Sequence, residues 1–212
     1  MIHVKVFEFN PVAENTYLLY DETKEAVLID CGCIDVNEKR ILSDCIAQNN
    51  LSLKRLLCTH LHFDHVTGNG FIYKKYGIKP EADRKDVEVL PSIQEQVKSM
   101  GFPYAIDFID IENFLTGNEI ISFGDSQLTV LPVPGHSPGS LAFYSAKDNF
   151  VIVGDALFKG SIGRTDLWGG NFDVLIAAIK DKILTLPDET IIYPGHGSST
   201  TVMNEKINNP FL

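Results

Sequence analysis

His60-Leu61-His62-Phe63-Asp64-His65 places three imidazoles and a carboxylate within six consecutive residues. The whole chain of 212 residues has only six histidines, so this density is not background composition. The preceding run, Leu53 to Cys58, reads as a strand that leads straight into His60, and Asn69 to Tyr76 reads as a helix. The motif therefore lies on a strand-to-helix turn. Residues at i and i+2 of a helix point apart, whereas a loop can fan them around one point. Three imidazoles and a carboxylate suit Zn²⁺, with Fe²⁺ or Mn²⁺ as alternatives. Four side chains from six residues crowd a single ion. Two neighbouring ions, each completed from elsewhere in the chain, fit better.

The rest of the chain offers those completing ligands. His136 follows the strand Leu128 to Val133, within Pro134-Gly135-His136-Ser137-Pro138-Gly139. Asp155 ends the strand Phe150 to Gly154, and His196 follows the strand Thr190 to Tyr193. Each stands at the C-terminal end of a strand beside a glycine, where the backbone can turn sharply and approach closely. Asp30 likewise closes the short apolar strand Ala26 to Ile29. His3, in the terminal strand Ile2 to Phe9, reads as structural.

Between these points, Asp35 and Glu38 have the form of a capping box opening a helix. Helical spacing returns at Ser92 to Met100 and over Phe172 to Leu184, which Pro187 stops. Residues 80–118 are the least regular. Strands are expected at Glu119 to Phe123, Gln127 to Val133 and Ser140 to Tyr144. No repeat or low-complexity linker divides the chain, so residues 1–212 are expected to form a single domain, two packed sheets with helices outside. At 44% hydrophobic and 22% charged, the sequence is neither disordered nor membrane-spanning. Its net charge of −10, from 28 acids against 18 bases, argues against nucleic acid or an anionic membrane as partner. The N-terminus MIHVKVFEFN lacks the features of a signal peptide. The four cysteines, Cys31, Cys33, Cys45 and Cys58, do not suggest a disulfide framework, Cys31-Gly-Cys33 reads as small buried residues at a strand end rather than a redox or metal motif, and a reducing cytoplasm is the expected location.

The ordered set Asp30, His60 to His65, His136, Asp155 and His196 resembles the metallo-β-lactamase-fold hydrolases over nearly the whole chain. The resemblance implies an α/β fold, an αββα sandwich of two mixed β-sheets flanked by helices, with two divalent metal ions at one edge. It implies that His60, His62 and His136 hold one ion and Asp64, His65 and His196 the other. Asp155 would bridge them, and Asp30 would order the ligand loop from behind. The stretch Gly154-Asp155-Ala156-Leu157-Phe158-Lys159-Gly160-Ser161-Ile162-Gly163-Arg164-Thr165-Asp166 is similar to the glyoxalase II group (hydroxyacylglutathione hydrolases), especially short bacterial members. On that likeness Arg164, with Lys159 beside it, would hold an anionic, glutathione-linked thioester. Asp64 and Asp155 would be the carboxylates at the reaction centre, where a hydroxide bridging the ions would attack the thioester carbonyl. Two departures bear on the thiol. Only 16 residues follow His196, too few for the group's C-terminal helical domain, and Asp166 stands where an aromatic residue is expected. The alternatives are a mononuclear iron persulfide dioxygenase on the same fold, a lactonase or other ester hydrolase, and a non-catalytic binding domain. A secreted β-lactamase fits less well without a signal peptide. Oligomeric state is open.

Overall fold

Alternation along the strands decides the layers. In the run Tyr17-Leu18-Leu19-Tyr20, Tyr17 and Leu19 join one apolar cluster while Leu18 and Tyr20 join another. Ala26-Val27-Leu28-Ile29 divides the same way, because successive strand side chains point to opposite faces. A strand apolar on both faces must be covered on both faces. The structure, a computed structural model, describes residues 1–103 and 105–212.

The first half contains β1 (His3–Phe9), β2 (Glu14–Tyr20), β3 (Glu25–Ile29), α1 (Val36–Gln48), β4 (Ser52–Leu57), α2 (Phe63–Val66), α3 (Asn69–Tyr76), β5 (Pro80–Asp83), α4 (Arg84–Val89), α5 (Ile93–Ser99) and β6 (Asn113–Leu115). The second contains β7 (Ile120–Phe123), β8 (Ser126–Pro132), β9 (Leu141–Ser145), β10 (Phe150–Gly154), β11 (Leu157–Phe158), β12 (Ser161–Ile162), α6 (Phe172–Ala178), β13 (Ile191–Pro194), β14 (Thr200–Thr201) and α7 (Val202–Asn208). Strands β1 to β6 form one sheet in chain order, and the second sheet runs β14-β13-β10-β9-β8-β7. Both are mixed: β3, β4, β5 and β6 pair in parallel, as do β10 and β13, while the remaining pairs are antiparallel.

Tyr17, Leu19, Val27 and Ile29 meet Val130, Leu141, Phe143 and Ile152 between the sheets. Leu18, Leu28 and Leu56 face Leu42 and Ile46 of α1 and Ile72 of α3. On the far side Ala142, Val151 and Val153 face Leu175 of α6, with Ile179, Ile183 and Val202. These three apolar seams make the α/β/β/α sandwich that the resemblance implied. The capping box of α1 is formed, with Asp35 accepting from Glu38 N–H and Glu38 reaching back to Asp35 N–H. Cys31, Cys33 and Cys58 are buried free thiols. His3 stacks on Tyr20 and meets Glu22 at 2.9 Å. No helix among the described residues is long and apolar enough to cross a membrane.

Two expectations are corrected. Within residues 80–118 the helix expected at Ser92 to Met100 is present as α5, but β5 and β6, which extend the first sheet, and α4 were not expected. Pro80-Glu-Ala-Asp has little strand propensity, so its conformation comes from parallel pairing with β4 and β6. The helix expected over Phe172 to Leu184 is α only to Ala178 and continues as a π-helical turn, Ile179–Ile183. That turn keeps Ile179 and Ile183 both fully buried in the seam.

Candidate metal centre

The C-terminal ends of β3, β4, β8, β10 and β13 converge on one edge of the sandwich. The two sheets are stitched there by hydrogen bonds from Leu141 N–H to the Thr59 carbonyl (2.7 Å), Asn15 N–H to the Gly195 carbonyl (2.7 Å) and the Tyr17 hydroxyl to the Pro194 carbonyl (2.6 Å). Three imidazole nitrogens meet first. His136 Nε2 lies 2.8 Å from His62 Nδ1 and 3.2 Å from His60 Nε2. Beside them, Asp64 Oδ2 lies 3.2 Å from His196 Nε2 and 3.6 Å from His65 Nε2. Asp155 stands between the two groups. Its Oδ1 is 3.3 Å from His65 Nε2, and its Oδ2 is 3.7 Å from His136 Nε2 and 3.6 Å from His196 Nε2. Thus all seven side chains singled out in the sequence come together.

The outward ring nitrogens define what the inward ones present. His136 Nδ1 is 2.8 Å from the Arg164 carbonyl, His196 Nδ1 3.0 Å from the Val12 carbonyl, and His65 Nδ1 2.9 Å from Asp30 Oδ2. Carbonyl and carboxylate oxygens only accept, so these Nδ1 atoms carry the protons. The Thr59 hydroxyl donates to Asp30 Oδ2 at 2.7 Å and so must accept from His60 Nδ1 at 3.0 Å. His60 Nε2 and His136 Nε2 therefore face each other with lone pairs at 3.2 Å, an arrangement that repels unless a cation lies between. His65 Nε2 and Asp155 Oδ1 are buried there without a hydrogen-bond partner. Orphaned nitrogen and oxygen donors of this kind fit a divalent ion, and the oriented second nitrogens are the usual support of metal-binding histidine.

At His60, His62 and Asp155 protonation agrees with that fit. Burial, reinforced by the neighbouring imidazoles, holds His60 well below its ordinary value, and burial takes His62 down to about 3. Burial alone would raise the Asp155 carboxyl, but His65, followed by His136 and His196, outweighs it and holds it below the usual carboxylate range. Burial opposes charge on His65 too, yet Asp64, Asp155 and Asp30 raise it overall.

Local backbone explains the placement. His62 is the extended N-cap of α2, so His60 and His62 approach from the loop while Asp64 and His65 project from the helix's first turn. Asp30 adopts φ +52°, which turns its carboxylate back to accept from Thr59 N–H at 2.7 Å. Gly195 is needed for space: a Cβ there would meet Asp155 Oδ1 and His65 Cε1.

The two basic residues behave differently. Arg164 lines the cleft over the histidine–carboxylate cluster, but its guanidinium is forked onto Asp166 with two 2.7 Å bonds, and both side chains are more than half exposed. Its carbonyl, rather than its charge, touches the metal-binding set. Lys159 is exposed on the turn between β11 and β12 and does not line the cleft.

Residues absent from the sequence reading surround the centre. Asp86 of α4, 1% exposed, accepts from Leu61 N–H (2.9 Å), the Ser137 hydroxyl (2.9 Å) and Gly139 N–H (2.6 Å). Gln96 of α5 donates to the Leu61 and Pro91 carbonyls at 3.1 and 3.0 Å and accepts from Phe63 N–H at 3.1 Å. The Leu61 peptide, between two of the histidines, is thus held from both sides. The cleft itself, about 220 Å³, is walled by Phe63, Met100, Phe102, Leu167 and Trp168. No motif marks Asp86 or Gln96. Trp168 carried one signal, being the single tryptophan of the chain, placed before Gly169-Gly170.

The family model of the metallo-β-lactamase superfamily matches residues 9–196. Hydroxyacylglutathione hydrolase GloC of Haemophilus influenzae is 34% identical over 212 residues, covering 100% of this chain and 98% of that protein. Among solved structures, the B3 metallo-β-lactamase BLEG-1 superposes with a TM-score of 0.88 at 34% identity, covering 100% and 99% of the two chains. TTHA1623 in a di-iron-bound form superposes at 0.86 with 33% identity, covering 99% and 100%.

Proposed function

Because the chain belongs to the metallo-β-lactamase superfamily, we propose that this metallo-hydrolase cleaves thioesters in the manner of a glyoxalase II. The observation that carries the reading is Asp155 standing within 3.7 Å of nitrogens from both clusters. His60, His62 and His136 would hold one divalent ion, Asp64, His65 and His196 the other, and Asp155 both. Ions so held supply Lewis acidity for the carbonyl and lower the pKa of water toward neutrality. The metal is zinc, iron or manganese, and the likeness to a di-iron-bound structure keeps iron in view.

The chain's own residues then have defined tasks. Asp30, Thr59 and the Arg164 and Val12 carbonyls fix the imidazole tautomers, so that lone pairs rather than N–H groups face inward. Trp168, in edge contact with His62 at 6.2 Å between centroids, shields the three-histidine side from water. No other side chain is required as nucleophile, and a thiolate needs no strong acid to leave. Arg164 is the basic residue of the cleft and would lie near the carrier end of the substrate; Lys159 would act only at longer range. Support for the thioester comes from the likeness to GloC over the full chain.

The test is to purify the protein without added metal, measure its metal by elemental analysis, and assay S-lactoylglutathione hydrolysis. Thioester cleavage that disappears with chelation and returns with a divalent ion is expected. Oxygen uptake with glutathione persulfide and no thioester cleavage would overturn the reading in favour of a single-iron dioxygenase. Faster opening of a β-lactam than of any thioester would move the reading toward the activity in BLEG-1's name.

A further inference from the structure

We infer that the cleft selects the acyl end of its thioester, that this end is bulky and apolar (aryl or branched alkyl), and that the thiol carrier is held only weakly. The inference rests on the thioester reading above and gives it a substrate class.

Apart from the metal-binding side chains, the cleft presents Phe63, Met100, Phe102, Leu167 and Trp168. The wall starts at the reaction centre, since Trp168 meets His62 edge-on, and Phe63 and Phe102 pack with centroids 5.1 Å apart. In the proposed pose the acyl group bonded to the reacting carbonyl lies against this surface, and the sulfur points toward Arg164. Among the described residues little polar capacity remains to read a hydrophilic substituent. Gln96 also lines the cleft, but its amide is committed to Leu61, Pro91 and Phe63.

Size and charge point the same way for the other end. About 220 Å³ falls below the 300–1,000 Å³ typical of pockets that enclose a drug-sized ligand. The cleft can enclose an acyl group and its sulfur, but not a whole tripeptide conjugate. A glutathione carrier brings two carboxylates, which call for charge-assisted donors. Arg164 is the single Lys or Arg among the described residues lining the cleft, and Asp166 takes its Nε–H and one of its two terminal nitrogens. The pair has no net charge, and among the described residues the cleft holds no other cation for an anion.

A matched pair of substrates tests this. S-mandeloylglutathione and S-lactoylglutathione share the carrier and the 2-hydroxyl and differ by phenyl against methyl. For the metal-loaded wild type, kcat/KM for the mandeloyl ester should exceed that for the lactoyl ester by about tenfold or more, the scale available to a hydrophobic pocket. In Trp168→Ala and Met100→Ser the ratio should collapse to within about threefold. Elemental analysis of each variant checks that its metal is retained, and Met100→Ser keeps the test open if loss of Trp168 disturbs His62. Replacing glutathione by N-acetylcysteamine on the mandeloyl ester should change KM by less than about threefold, an interaction no larger than an exposed ion pair. A wild-type ratio at or below one, with the lactoyl ester turned over, overturns the inference and leaves the thioester reading standing. A ratio unmoved by both variants overturns the role of the wall. A KM preference for glutathione above about tenfold overturns weak carrier binding. Hydrolysis of none of the three esters removes the thioester reading and the inference with it.

Discussion

Replacing Asp86 by asparagine should weaken metal binding although Asp86 touches no metal-binding side chain. Asp86 Oδ1 accepts Gly139 N–H, and Oδ2 accepts Leu61 N–H together with the Ser137 hydroxyl. An amide has a single acceptor oxygen, so either the Gly139 or the Leu61 N–H is left facing an NH₂ group. A buried donor stripped of its acceptor costs about 1–3 kcal/mol. The strain falls on the loops that carry His60, His62 and His136, and corresponds to metal affinity weaker by about 5- to 150-fold. Thermal stability is a poor readout, because a second effect opposes the first. Burial pushes the Asp86 carboxyl up to about 6 from the ordinary 3.8, against the hydrogen bonds from Leu61, Gly139 and Ser137. Carrying its charge at pH 7 therefore costs the folded chain up to about 3 kcal/mol, which asparagine removes. The sign gives a second readout. A carboxyl raised by folding contributes stability that is fully present below pH 3.8 and is lost as pH rises through about 6. The wild type should accordingly gain on Asp86→Asn as pH falls from 7 to 5, measured by denaturant unfolding of chelated protein. Metal affinity is read at pH 7 by competition with a chromophoric chelator, with Asp188→Asn, an exposed partner of Lys206, as control. Wild-type affinity for the tighter ion in Asp86→Asn would refute the clamp.

Three further perturbations probe the same geometry. Asp155→Ala should lower bound metal at both clusters, since its oxygens reach nitrogens of each; elemental analysis showing two full equivalents would remove its bridging place. Gly195→Ala should cost metal at the Asp64–His65–His196 cluster first, because the new methyl group collides with Asp155 Oδ1 and the His65 ring; a structure or titration with that cluster intact would count against the close approach. Asp166→Asn releases the Arg164 fork, so KM for an anionic glutathione ester should fall by up to about fivefold while that for a neutral carrier stays put. Equal changes for both carriers would show that charge is not what the substitution altered.

The resemblance to the superfamily could be read from the chain because its marks are local. His60 to His65 share one turn by covalent spacing, and Asp30, His136, Asp155 and His196 each follow a recognisable strand beside a break. The apolar run at Ala26 to Ile29 was legible as a strand, and the structure shows that it and Tyr17 to Tyr20 are covered on both faces. Within 80–118 the strands β5 and β6 were opaque because they are three or four residues long and are specified by their neighbours rather than by their own composition. The roles of Asp86 and Gln96 were hidden because their partners, Pro91 apart, lie 25 to 53 positions away along the chain.

By itself, then, the sequence marked seven candidate metal-binding side chains by their spacing, and its strand and helix pattern suggested two packed sheets with helices outside. Tertiary structure decided the rest. It set Asp155 between two clusters, put the Arg164 carbonyl on His136, and brought an apolar wall to the mouth of the site. Those outcomes depend on which distant segments pack against the end of β4, and packing across loops leaves no period in a sequence.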